Sequence, residues 1–151
     1  MSKKFLSIHN HCSKSKLALA IQILMCCEAI AAPIGGEIVG GTGTITQQGS
    51  ETAIVQETER LAIDWQNFDI GKDERVTFVQ PGQSAIALNR ILSDKGSEIL
   101  GKIDANGQVI LVNPQGVVFK EGAVVNAGGL IASGLQINPE DFMNGDLIFK
   151  H

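Results

Sequence analysis

Gln108-Val109-Ile110-Leu111-Val112-Asn113-Pro114-Gln115-Gly116-Val117-Val118-Phe119 reads as a strand, a turn and a second strand. Branched and aromatic side chains favour extended backbone, whereas Asn and Gly tolerate positive φ and Pro presets φ for a turn. Twenty residues on, Gly128–Ala132 repeats the apolar patch, again led by glycine and followed by a small polar residue, Ser133 where the first has Asn113. Leu135–Ile137 follows Gly116–Phe119 at about 19 residues. A spacing near 20 is one turn of a β-solenoid, in which each rung buries its apolar face only on its neighbours. Many short strands also suit a hairpin sandwich, and the spacing alone leaves both open.

Further short β-prone runs lie upstream: Gly43–Gln48, Thr52–Gln56, Leu61–Trp65 and Val76–Gln80, with Leu147–Phe149 near the end. All 17 glycines fall after residue 34 and punctuate these runs. Ser84–Ile103 carries Leu88, Ile91 and Leu92 at helical spacing, yet Gly96 and Gly101 interrupt any long helix, so strands are favoured. Trp65, Phe68, Phe78, Phe119, Phe142 and Phe149 are the large core candidates, each contributing on the order of 1.5–3 kcal/mol if buried. The end rungs of a solenoid must be capped. Strands around Ile38–Val55 are expected to cap one end, and the other looks cut, as though more rungs should follow Phe149.

The first 32 of the 151 residues are a different kind of polymer. Lys3, Lys4, Lys14 and Lys16 precede the apolar run Leu17–Cys27, and Ala29-Ile30-Ala31 follows it. A basic start, a short apolar stretch and an A-x-A site make a secretory signal peptide. The run is too short for a bilayer span, which needs about 20 residues, so no stable membrane span is expected after cleavage. Cleavage is expected after Ala31 or Ala32, leaving residues 33–151 as one domain. That removes Cys12, Cys26 and Cys27, so the processed chain carries no disulfide along an oxidising route. Neither Cys26 nor Cys27 follows the small residue a lipid attachment would call for. Eight basic and fifteen acidic residues remain, a net charge of −7, which argues against nucleic acid as a partner.

Catalytic signals are poor. Without Cys or an internal His the usual nucleophile–base pairs are missing, and no enzyme activity or cofactor is expected. Gly96–Lys102 mimics a phosphate loop, but Ile103 stands where Ser or Thr would hold Mg²⁺. Asp64, Asp69, Asp73 and Glu74 could bind Ca²⁺, with Arg75 or Arg90 as the basic residue that some polysaccharide-cleaving β-helices place beside their carboxylates. The favoured reading of that stretch is a solvated loop between strands. A stand-alone surface-binding module is a further alternative.

From Trp65 onward the pattern becomes specific. Ile63-Asp64-Trp65-Gln66-Asn67-Phe68-Asp69-Ile70-Gly71 is followed by Val76–Pro81, Ala87-Leu88-Asn89-Arg90-Ile91, Gly101–Val117 with its Ala105-Asn106-Gly107, then Gly129–Ser133 and Asp141-Phe142. In this order and spacing, over roughly Gly36 to Phe149, the chain resembles the two-partner secretion domain at the N-terminus of filamentous-haemagglutinin-type exoproteins. The family's usual Asn-Pro-Asn-Gly-Ile stands here as Asn113-Pro114-Gln115-Gly116-Val117. The resemblance implies an all-β fold, a right-handed parallel β-helix with an N-terminal β cap, behind a helical signal peptide of the extended type. It also implies an export address: the chain crosses the inner membrane through the general secretory machinery and engages an outer-membrane β-barrel transporter with periplasmic domains. It then folds outside, at the surface of a Gram-negative-type bacterium or in the medium, as part of an adhesin. Asn89 and Arg90, with Asn113, Pro114, Gln115 and Gly116, are the residues this resemblance marks for folding or partner contact.

Overall fold

The computed structural model describes residues 30–151. The signal-peptide segment lies almost wholly outside them, with only its end, from Ile30, included. The elements are β1 (Glu37–Gly40), β2 (Gly43–Gln48), β3 (Glu51–Gln56), β4 (Arg60–Trp65), β5 (Arg75–Val79), β6 (Ile86–Ile91) and β7 (Ser97–Ile99). They continue with β8 (Lys102–Ala105), β9 (Gln108–Val112), β10 (Val117–Phe119), β11 (Val124–Asn126), β12 (Gly129–Ser133), β13 (Gln136–Ile137), helix α1 (Pro139–Met143) and β14 (Phe149–Lys150). Ser84–Ile103 is thus strand, as its glycines indicated.

The chain winds as a β-solenoid with three faces. One face stacks β3, β5, β8 and β11, the next β4, β6, β9 and β12, all parallel. The third holds β7 and β10, extended by the bridge Ile70↔Ile99. The cap is antiparallel: β1 pairs with β4 and β2 with β3, covering two edges of the first rung. β3, which the sequence placed among the cap strands, opens that rung.

Register corrects the sequence reading by one residue. Gly129 lies opposite Gln108 and Leu130 opposite Val109, 21 positions apart rather than 20. That places Val109, Leu111 and Leu130 together against the inner core. The second apparent repeat is not a rung pair: β10 stacks on β7, while β13 pairs antiparallel with β14 outside the solenoid.

The inner core runs down the axis as Ile54, Leu61, Ile63, Trp65, Phe68, Ile70, Val76, Phe78 and their successors in later rungs. Trp65 meets Phe68 edge-on, ring centroids 5.4 Å apart. Ile86, Leu88, Ile110 and Val112 face outward on the β4–β6–β9 face and are buried too, under Ile137 and Phe142. This second layer explains why Val109–Val112 is continuously apolar instead of alternating. Two expected core aromatics depart from the reading: Phe119, in β10, is 39% exposed, and Phe149, in β14 outside the solenoid, is only partly buried against the outer layer. Rungs approach closely at Gly101, where a Cβ would overlap the carbonyl oxygens of Gly71 and Glu74. No helix among the described residues is long and apolar enough to cross a membrane.

Candidate functional site

The Asn113–Gly116 turn sits where β9 leaves its face. Gly116 N–H donates to the Asn113 carbonyl at 2.8 Å, closing a four-residue turn with Pro114 at its second position. Gly116 holds φ +99°, a left-handed conformation that glycine adopts without strain. Asn113 is fully buried. Its Oδ1 accepts from Gln115 N–H at 2.9 Å, while Nδ2 donates to the Lys95 carbonyl and to Ser97 Oγ, both at 3.0 Å. The Asn113 side chain therefore shapes its own turn and ties it to the preceding rung. Pro114 and Gln115 are exposed, and only the backbone of Gln115 is used.

Asn89 and Arg90 point to opposite sides of β6. Asn89 faces the core, opposite Ile63 and Leu111, and is fully buried. Its Oδ1 accepts from the Trp65 indole N–H at 3.0 Å, and its Nδ2 donates to the Ile110 carbonyl at 3.3 Å. A buried indole N–H needs such an acceptor, so Asn89 completes the tryptophan of the previous rung. Arg90 faces outward opposite Asp64, which it grips with Nε at 2.7 Å and Nη2 at 2.6 Å. Both side chains are largely covered, a geometry in which a bidentate pair is strongest.

The structure brings the two motifs together. Arg90, Ile91, Leu92, Val112, Pro114 and Gln136 surround a cleft of about 50 Å³, with Leu92 66% exposed at its rim. Arg90 thus borders the turn, whereas Asn89 faces the inner core. The sequence did not show Lys95, Ser97 and Asp64 as partners, because rung register places them there; their separations of 16 to 26 residues were the available signal.

The proposed calcium ligands do not converge. Asp64 is spent on Arg90, and Asp69 accepts the Glu98 N–H at 2.8 Å. Glu74 is no solvated loop residue: it is nearly buried and Oε1 accepts the Gly71 N–H at 2.6 Å. Among the described residues no three His, Cys, Asp or Glu side chains form a group able to hold a metal ion. Gly96–Lys102 forms β7 and a bend into β8, without the helix a phosphate loop needs.

A capped, parallel β-solenoid with one buried amide holding a turn and another serving a core tryptophan defines a class of rung-built domains. Within that class the match is specific: the TPS secretion domain family matches residues 32–150, and the chain belongs to that family. It is 41% identical over 101 residues to the heme/hemopexin-binding protein of Haemophilus influenzae, covering 67% of this chain and 11% of that protein. A second heme/hemopexin-binding protein from the same species is 43% identical over 96 residues, 63% of this chain and 10% of the other. The chain therefore spans about a tenth of the length of these relatives. Its fold matches the crystal structure of the HMW1 secretion domain of H. influenzae with a TM-score of 0.74 at 33% identity, over 78% of this chain and 32% of that one. The family is a secretion domain of exoproteins, not an enzyme family; it implies a transporter partner and export by a Gram-negative two-partner system.

Proposed function

We propose that this chain is the secretion-targeting domain of a filamentous-haemagglutinin-like exoprotein with an adhesive role. Its partner is an outer-membrane β-barrel transporter with periplasmic domains. The general secretory machinery delivers the chain, the signal peptide of residues 1–32 is removed after Ala31 or Ala32, and the domain folds at the cell surface or in the medium. The observation that carries this reading is the family match over residues 32–150.

The absence of cysteine from residues 33–151 suits this route: no disulfide can trap the chain before it threads a pore. The heme- and hemopexin-binding for which the relatives are named is not carried over to this domain. Of the three histidines, which commonly ligate heme, only His151 falls in it.

The test is co-expression with and without the cognate transporter, with both the periplasm and the medium assayed. Release that depends on the transporter, with a new N-terminus at Ala32 or Pro33, is the expected result. Equal release without the transporter, or retention in the cytosol with residues 1–32 attached, overturns the reading.

A further inference from the structure

The parallel strand pairs of the solenoid join residues only 20 to 27 positions apart. The segment 134–150 departs from that rule. It leaves the axis after β12 and lies across the outside of the β1–β4–β6–β9 face. Phe142 and Ile137 are fully buried there against Ala62 of β4, Ile86 and Leu88 of β6, and Ile110 and Val112 of β9. Arg60 Nη1 donates to the Phe142 carbonyl at 3.1 Å across 82 positions, and its guanidinium carbon sits 5.2 Å from the Phe142 ring centroid. Met143 reaches Gly40 in the cap, where a Cβ would crowd its side chain.

Two features place this segment last in the order of folding. Its docking surface is assembled from side chains of three rungs and does not exist until those rungs have stacked. Helix α1 has only five residues, far too few to form alone despite the Asn138 cap that accepts from Glu140 and Asp141 N–H.

We propose that residues 134–150 are a latch. They close over the finished rungs and tie the cap and first rung to the third. The stacked rungs thereby become a kinetically locked unit. Resting on the secretion reading above, this is the step that prevents an exported domain from unravelling back into its pore. Arg60 is the positioning residue of the latch, and Phe142 its bolt.

The test compares Phe142→Ala with the purified wild-type protein and with Phe119→Ala, an exposed aromatic of β10, by stopped-flow folding and unfolding in urea. A contact made after the rate-limiting step acts on unfolding alone. Phe142→Ala is expected to speed unfolding at least about 100-fold and to change the folding rate by less than about 3-fold, while Phe119→Ala changes unfolding by less than about 10-fold. If Phe142→Ala does not fold, Arg60→Ala is read in the same way, with unfolding faster by about 5-fold or more. Slower folding at unchanged unfolding, or unfolding as slow as wild type, overturns the latch. These rates are measured without a transporter, so their failure leaves the secretion reading standing. Transporter-independent release sinks that reading and leaves the latch as a property of the fold.

Discussion

Replacing Asn113 with alanine removes three hydrogen bonds at once: those to the Lys95 carbonyl, Ser97 Oγ and Gln115 N–H. Each is worth about 0.5–1.5 kcal/mol net. The partners then differ in what they lose. Gln115 is exposed and its N–H regains water, whereas Ser97 is nearly fully buried and its hydroxyl keeps no replacement, adding about 1 kcal/mol or more. The sum is a loss of about 2–4 kcal/mol. With a urea dependence of about 2 kcal/mol per molar, the midpoint falls by about 1–2 M. Asn113→Asp sharpens the test. Aspartate keeps the acceptor for Gln115 N–H and forms such turns readily, but it sets an oxygen against the Lys95 carbonyl. It is expected to cost nearly as much as alanine. If Asn113→Asp were as stable as wild type, the inter-rung donation would count for nothing and the turn would be purely local. Gln115→Ala completes the set, since its side chain makes no bond and its loss is expected to cost less than about 0.5 kcal/mol. If that variant remains fully stable yet fails to be exported, the turn contacts the transporter directly. If it is exported normally while Asn113→Ala is not, the turn acts through the fold.

Further outcomes follow from the same contacts. Asn89→Leu keeps the volume but strands the Trp65 indole N–H in a dry core, costing about 1–3 kcal/mol with a shift in tryptophan emission; unchanged emission and stability would refute the pairing. Asp64→Asn weakens the bidentate grip on Arg90 and is expected to cost about 1–2 kcal/mol, with the gap from wild type narrowing in 1 M NaCl, as denaturant titrations at two salt concentrations would show. Gly101→Ala drives a methyl into two backbone carbonyls and is expected to abolish the cooperative unfolding transition seen by circular dichroism; a normal transition would contradict the rung spacing at that corner.

Much of this protein was legible in its sequence because strand signals are local. Glycine and Asn-Pro punctuation around Val, Ile and Leu runs marks where extended backbone starts and stops, as at β2 to β5, β9, β10 and β12. The Asn113–Gly116 turn was legible too, since Asn, Pro and Gly carry turn preferences of their own. Register was not. Whether the repeat is 20 or 21 residues depends on how the corners bend, and corner geometry is decided by contacts between rungs, as at Gly101. The helix at Pro139–Met143 escaped notice because five residues carry no helical period of their own, and only the outer apolar face of β4, β6 and β9 holds them. The same face explains Ile110 and Val112, whose apolar character made sense only once Phe142 was found above them.

The sequence by itself determined that glycine-spaced strands would form and that Asn113, Pro114 and Gly116 would make a turn. Each of those follows from the preferences of a residue and its immediate neighbours. Only the tertiary structure decided that Asn113 bonds Ser97, that Asn89 serves Trp65 and Asp64 serves Arg90, and that a distant C-terminal segment crosses the outer face. Those partners are separated along the chain and meet because stacked rungs bring them within hydrogen-bond reach, a condition that no local preference encodes.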